Sequence, residues 1–504
     1  MPEQDVVVND CVDLLVVGGG INGTGIARDA AGRGLTVALV EQGDLASATS
    51  SASTKLIHGG LRYLELFDFR LVRESLLERE RLLALAPHII FPMQFVLPHA
   101  HALRPRWQIR LGLWVYDHLG GRKRLPASHG IALQRSPYAS ALREELRHGF
   151  VYADCWVDDS RLVVLNALDA AERGATILTR TKFLGARCES GRWHAACEDA
   201  RTGHRLQIAA RAVVNAAGPW VEKVLRDVPD VQIPTQIRLV KGSHIVVPQL
   251  YEGEHAFLLQ NPDGRIVFTL PYEHRFTLIG TTDVAYEGDP AQAAISAQET
   301  HYLCETVGRY FRNPVTPQHV RWTYAGVRPL VDDANVSASK VTRDYRLELA
   351  LGASGAPFLS ILGGKLTTYR RLAEMALEKI LPQLDIASAE WTGRVPLPGG
   401  DMPNADFGRF LHEAKLRWPF LSDALAYRLA RAYGTRLEKM LSGARTLQDL
   451  GEHFGAGLTE TEVSYLRTTE WASTVEDILW RRTKLGLHMS QAGQARFGEY
   501  MNRR

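Results

Sequence analysis

The hydrophobic pattern of this 504-residue chain changes character along its length. Residues 14–17 and 35–40 are apolar runs, the second broken only by Thr36, as in strands covered on both faces. Between them, residues 26–31 continue a helix that Gly32 and Gly34 end. The alternation recurs, predicting helices over 69–85 and 163–172 and strands over 89–98 and 175–179. A buried strand from Ala212 stops at Gly218-Pro219, and segments 193–198 and 205–208 read as a hairpin. Between Gln236 and Asp283 the pattern turns to short alternating strands (237–247, 265–270 and 276–283), which predicts a mixed or antiparallel sheet. Helix returns over 301–311, and residues 358–369 read as strand, Gly-Gly turn and helix. Val395-Pro-Leu-Pro-Gly-Gly-Asp401 has linker composition, and residues 407–504 read as almost wholly helical. The fold class is therefore α/β (α+β).

The first strand, helix and second strand carry a chemical signature. Gly18, Gly20 and Gly23 fit G-x-G-x-x-G at the helix mouth, with Ile21 and Asn22 inside it, and Glu41 closes the second strand. This is a dinucleotide fingerprint in full register, a Rossmann-like unit. The first glycine permits the tight turn, and the second lets backbone approach a pyrophosphate on the helix N-terminus. The third packs helix on strand, and Glu41 can accept from a ribose hydroxyl. The pattern does not choose between NAD and FAD. Glycines also mark ordinary turns, but here strand, helix, strand and acid agree. The hydroxyl-rich loop 45–55 follows the second strand, where a cofactor would sit. Next, residues 56–65 bring Leu56, His58, Arg62 and Tyr63 to the same region around a glycine pair.

Composition narrows the class. Hydrophobic content of 45% and charged content of 23% are those of a globular protein, and the length calls for two or three domains. A net charge of +3 leaves no nucleic-acid footprint. Cys11, Cys155, Cys188, Cys197 and Cys304 are scattered with no C-x-x-C, which points to a reducing compartment and to no metal site. The acidic N-terminus lacks the basic region of a signal peptide, and no apolar run is long enough to span a bilayer. One stretch stands out. Residues 104–124 mix Trp107, Trp114 and Tyr116 with arginines at both ends, and Asp117 is the only acid. An interfacial membrane helix has this composition, and so does a core helix with a solvated basic face. Arg481-Arg-Thr-Lys484 is a second basic stretch that could dock to a surface.

Several motifs stand in a fixed order: Gly-Gly-Gly-Ile-Asn-Gly-Thr-Gly, Ser-Ser-Ala-Ser-Thr-Lys-Leu-Ile-His-Gly-Gly-Leu-Arg-Tyr-Leu-Glu, Asn-Ala-Ala-Gly-Pro-Trp, Lys-Gly-Ser-His-Ile-Val-Val, Ile-Gly-Thr-Thr-Asp, Gly-Val-Arg-Pro-Leu and Gly-Gly-Lys-Leu-Thr-Thr-Tyr-Arg. With Trp480-Arg-Arg-Thr-Lys-Leu-Gly486, the set resembles the bacterial aerobic FAD-dependent sn-glycerol-3-phosphate dehydrogenases over nearly the whole chain. Thr54 and Ala217 stand where serine and threonine are frequent in that family. The resemblance implies a D-amino-acid-oxidase-like FAD domain over 1–390, with its substrate-covering sheet within about 236–350, and a helical C-terminal domain over 391–504. It implies oxidation of glycerol 3-phosphate to dihydroxyacetone phosphate, with electrons passed to ubiquinone or menaquinone. It also implies a homodimer held peripherally on the cytoplasmic side of the inner membrane, on an anionic surface.

Site residues follow from motif and resemblance together. The cofactor set is Gly18, Gly20, Ile21, Asn22, Gly23, Glu41, Thr54, Lys55, Leu56, His58, Ala217, Gly218, Gly363, Gly364, Lys365, Leu366 and Thr367. The substrate set is Arg62, Tyr63, His244, Arg328 and Lys365, with His244 and Arg328 catalytic. A phosphorylated substrate needs fixed positive charge, and arginine can grip phosphate bidentately. Each arginine sits in a Gly- or Pro-flanked turn, although an arbitrary arginine is more often a structural ion pair. His244 lies in an alternating strand, where a histidine is more often a satisfied core residue. Its imidazole can nevertheless accept a proton near pH 7. Arg328 is too basic for that role and would stabilise an alkoxide instead. The rivals are an α-glycerophosphate oxidase using oxygen, an amine or hydroxy-acid oxidase on the same fold, and a non-catalytic flavoprotein.

Overall fold

The computed structural model describes residues 6–7, 11–66, 68–100, 104–121, 124–233, 236–331 and 344–503, and only the backbone of residues 6, 7, 62, 65 and 66. Two large sheets line a long cleft, and a smaller C-terminal domain has its own core.

The first sheet grows from the fingerprint. Val12–Val17 ends in four buried residues and runs parallel to Val37–Glu41 on one side and to Arg205–Asn215 on the other. Pro357–Leu362 and Thr176–Thr179 extend the parallel set outward. The predicted hairpin is present, but its second arm is continuous with the buried strand predicted from Ala212. Alternating exposure at 205–210 and full burial at 212–215 had made one strand look like two. Helix Ile21–Gly32 lies between Asp159–Glu172 and Tyr369–Ile380. Its Gly25 and alanines permit this close approach, since a Cβ on Gly25 would stand 2.7 Å from the Tyr369 ring.

The second sheet is mixed, as predicted, but its boundaries are not those expected. Ile237–Pro248, Phe276–Gly280, Ile266–Tyr272, Ala256–Gln260 and Trp322–Val331 supply part of it. Ile90–His99, His148–Val157, His129–Ala132, Leu56–Ile57 and the short Val284–Ala285 supply the rest. The covering sheet therefore recruits strands from well before residue 236. Pairing between Ile90–His99 and Ala256–Gln260 is non-local, and a local pattern carries no trace of it.

Beyond the linker, helices Phe407–Arg417, Asp423–Tyr433, Glu460–Thr469 and Gln491–Asn502 pack around Leu429, Tyr433, Phe454, Leu466 and Phe497. This region is not wholly helical. His453–Gly455 and Leu458–Thr459 form a small hairpin, and Asp477–Arg482 is a wide π-type turn. Among the described residues no helix is long and apolar enough to cross a membrane.

Candidate active site

One cleft, with an empty volume of about 1820 Å³ that is partly open to solvent, runs between the two sheets. At one end Gly18 adopts φ +114°, and a Cβ there would stand 2.5 Å from the Ala216 carbonyl oxygen. A Cβ on Gly23 would fall 1.9 Å from the Gly18 oxygen, so the third glycine serves packing and does not line the cleft. At Gly20 the nearest atom is Ser50 Oγ, 3.1 Å from such a Cβ, so this position opens on the cleft. The Ile21 amide donates to Ser50 Oγ at 3.0 Å, and the helix that follows has no side-chain cap. Its N-terminal amides are thus aimed at the cleft, which suits an anion.

Glu41 lines the cleft and accepts from the Gly19 amide and the Gly43 amide, each at 2.7 Å. Burial raises its carboxyl pKa above the ordinary value, and those two amides offset the rise only in part. Each oxygen keeps a lone pair for a further donor. Asn22 donates to the Gly363 carbonyl at 3.3 Å, and its buried Oδ1 has no protein partner.

Most of the sequence-predicted residues gather here. Gly18, Gly20, Ile21, Asn22, Glu41, Ala217 and Gly218 line one reach of the cleft. Thr54, Leu56, His58, Tyr63, Arg328 and the run from Gly363 to Leu366 also line it. Ser47, Ser50, Phe183, Lys182 and Lys223 line it too, and sequence reasoning did not name them. Loop 45–55 carried a signal for the serines. Lys182 and Lys223 carried none, because exposed lysines are common everywhere.

Four predicted residues stand elsewhere. Lys55 is buried, with Nζ 2.9 and 2.8 Å from the Asp159 carboxylate and 4.8 Å above the Tyr324 ring. Its ammonium braces the loop from behind. Thr367 is buried, and its hydroxyl bonds the His58 backbone at 3.2 and 3.3 Å. The third is Gly23, described above. The fourth is His244, fully buried behind the wall, with Nε2 2.9 Å from Thr54 Oγ1 and its ring stacked on Tyr324 at 4.7 Å. Burial, then the charges of Lys55 and Arg328, hold its pKa well below the ordinary 6.5. A strand pattern fixes which face a residue takes, not how deep that face lies. The Arg62 side chain lies outside the described residues.

Arg328 is on the wall, 2.5 Å from Asp283 and 3.3 Å from Thr281 Oγ1. The ion pair fixes the guanidinium at the wall of the cleft. Lys365 Nζ donates to the His58 carbonyl and lies 5.3 Å from the Tyr63 ring centre.

Residues 13–370 match the model of the FAD dependent oxidoreductases. The chain belongs to that family. Residues 391–501 of this oxidoreductase match the C-terminal domain of alpha-glycerophosphate oxidase. It is 54% identical to a glycerol-3-phosphate dehydrogenase of Pseudomonas aeruginosa, covering 97% of this chain and 94% of that one. It is 50% identical to a D-erythritol 1-phosphate dehydrogenase of Brucella abortus, covering 97% of each. Its fold superposes on the Bacillus halodurans glycerol-3-phosphate dehydrogenase complexed with FAD at a TM-score of 0.76, with 28% identity and cover of 98% and 94%.

FAD is the family's cofactor, and the residues present suit it. The open face of Gly20, the uncapped helix start, the spare acceptors of Glu41 and the unpartnered Asn22 Oδ1 all meet one elongated cleft. These are the contacts that a pyrophosphate, a ribose and a ring system need.

Proposed function

We propose that this oxidoreductase converts sn-glycerol 3-phosphate to dihydroxyacetone phosphate and passes the electrons to a membrane quinone. The observation that carries the substrate is two fixed cations on the wall of the FAD cleft, Arg328 and Lys365, the latter 5.3 Å from the Tyr63 ring centre. With FAD bound, the site gains an acceptor for the substrate's hydride that can later release electrons singly. Arg328 and Lys365 would hold the phosphate, and Arg62 is proposed to join them. Remote phosphate binding then positions the reacting carbon. Thr54 supports a route for the hydroxyl proton, because its Oγ1 is on the wall and His244 Nε2 lies 2.9 Å behind it. His244 would accept that proton through Thr54 as a weak base, since burial and the charges of Lys55 and Arg328 disfavour its protonated form. Gly18, Gly20, Ile21, Asn22, Glu41 and Ala217–Gly218 are proposed to hold the dinucleotide, with the loop from Gly363 to Leu366 closing over it.

A second substrate has support from the relative at 50% identity, since D-erythritol 1-phosphate presents the same phosphate and hydroxyl chemistry on a longer chain. Anaerobic addition of each compound to the purified holoprotein tests both. Glycerol 3-phosphate should bleach the visible flavin band at lower concentration than D-erythritol 1-phosphate, and glycerol should not bleach it. A preference for the four-carbon phosphate would transfer the assignment, and bleaching by neither would end it. Stoichiometric peroxide in air would make oxygen the acceptor.

A quinone acceptor requires contact with a bilayer. Helix Arg106–Leu119 supports that contact through two unlike faces. Ile109, Leu113 and Tyr116 are buried, while Trp107, Leu111 and Trp114 are 69%, 52% and 52% exposed. Arg104, Arg106 and Arg110 are exposed beside them. That stripe supports peripheral docking to an anionic cytoplasmic face. Arg122 and Lys123, also expected there, lie outside the described residues. The homodimer is a separate proposal, tested by sedimentation equilibrium.

A further inference from the structure

The basic run after Trp480 is buried at the nucleotide site. Arg482, fully buried, places two guanidinium nitrogens on the two Asp44 oxygens at 2.7 and 2.9 Å. Arg481 adds a third bond to the same carboxylate at 2.7 Å, and its other end reaches Asp477. Asp44 belongs to the turn that follows Glu41. In that turn the Gly43 amide donates to Glu41, and the Ala46 amide donates to the Gly19 carbonyl at 3.1 Å. The Gly43 carbonyl accepts from the Arg180 amide at 2.8 Å, and the Arg180 side chain lies 2.5 Å from Asp477. The C-terminal turn therefore holds residues 43–46 against the Gly18–Gly20 turn from outside.

A second arm reaches the other loop of the cleft. Lys484 Nζ donates to Asp158 and Ser160 Oγ, each at 2.6 Å. The neighbouring Asp159 carries Lys55 and the Ser53 hydroxyl, and Ser53 and Thr54 line the cleft. One arginine would suffice to neutralise Asp44. Two arginines in fixed geometry set its position as well as its charge.

We propose that residues 477–484 of the C-terminal domain are a cofactor-retention element, fixing the Glu41–Ser47 turn through Asp44 and so setting how tightly FAD is held. Arg481, Arg482 and Asp44 are positioning residues, since Glu41 and the glycine turn face the cleft and they do not. Coupling of this kind is reciprocal, so FAD must also steady the C-terminal turn.

The full chain, stripped of FAD and titrated with it, tests the proposal. Arg481→Gln leaves the Arg482 pair intact and should fold. It should raise the FAD dissociation constant about 5- to 150-fold, the usual range for coupled sites, while the melting midpoint of the apoprotein holds. In the wild type, FAD should slow amide exchange over 473–486 as well as over 43–47. In Arg481→Gln the protection over 473–486 should shrink. Arg482→Met should weaken FAD further, and if it does not fold, Arg481→Gln alone decides. A folded Arg481→Gln with wild-type FAD affinity would overturn the proposal. So would FAD protection that stops short of residue 473, or an affinity loss matched by an equal loss of apoprotein stability.

Discussion

Helix Arg106–Leu119 and turn Asp477–Arg482 are both short and rich in arginine, and both carry tryptophan, yet they occupy opposite environments. The helix shows Trp107 and Trp114 to solvent with arginines around them. The turn stacks Trp480 on Trp322 at 4.9 Å and buries Arg482 completely. The difference lies in the acids that come to meet them. Asp44 and Asp158 converge on the turn and its flank from distant parts of the chain, and the nearby Glu470 backbone carbonyl accepts from Arg482 at 2.6 Å. Asp117, the helix's own acid, accepts from Ser128. A basic stretch becomes a surface or a buried clamp according to residues far away in sequence. The second docking surface expected at Arg481-Arg-Thr-Lys484 is thereby excluded, since a buried, paired charge has nothing to offer a lipid.

The sharpest test of this contrast replaces one arginine in each place. Arg482→Met leaves the Asp44 carboxylate buried with only Arg481, and should cost about 3–5 kcal/mol. Arg106→Met, at an exposed position of the helix, should stay within about 0.5 kcal/mol. Denaturant midpoints check both, and equal costs would dissolve the distinction. Next comes the apolar stripe. Changing Trp107, Leu111 and Trp114 together to alanine should lower binding to anionic vesicles by about 100-fold or more, given roughly 1.5–3 kcal/mol per large side chain fully inserted. Co-sedimentation reads this, and Arg481→Gln should sediment like the wild type. Replacing Arg104, Arg106 and Arg110 by glutamine should cost about 1 kcal/mol each at low salt and progressively less as salt rises.

The smallest expected effect is acid sensitivity at the buried seam. His88 is fully buried where Arg431 of the C-terminal domain donates to the Pro87 and His88 carbonyls at 3.2 and 3.4 Å. Burial, then the Arg161 and Arg431 charges, lower its pKa to about 3 from the ordinary 6.5. The unfolded chain therefore takes up a proton below pH 6.5 that the folded chain refuses until about pH 3. His88 stabilises fully above pH 6.5, and this contribution is lost as pH falls from 6.5 toward 3. Melting midpoints at pH 7 and 5.5 should differ less in His88→Gln than in the wild type, by roughly 1 kcal/mol of stability. Vesicle binding through arginines should not change over that interval, because arginine does not titrate there.

The nucleotide half of the site was legible because its determinants are neighbours in sequence. Gly18, Gly20, Gly23 and Glu41 fall within one strand–helix–strand unit, and the order of the motifs supplied the family. Depth was not legible. Lys55 and His244 were read onto the cleft wall, and each lies one layer behind it, covered by partners more than 80 residues away. The covering sheet was half seen for the same reason, since residues 90–99 and 148–157 join it only through tertiary pairing. The small C-terminal hairpin did leave a signal in Gly455-Ala456-Gly457, where all three residues take positive φ. Surrounding helical periodicity outweighed it.

The bond between Arg482 and Asp44 spans 438 residues. A chain made at roughly 5–20 residues per second leaves Asp44 without that partner for on the order of 20–90 s. The glycine turn and its flanking strands can pair long before then, from local contacts alone. Flavin arriving on the nascent chain would meet a turn still free to open, and capture becomes durable only when the last helices dock. Synthesis itself would then set the clock for cofactor loading.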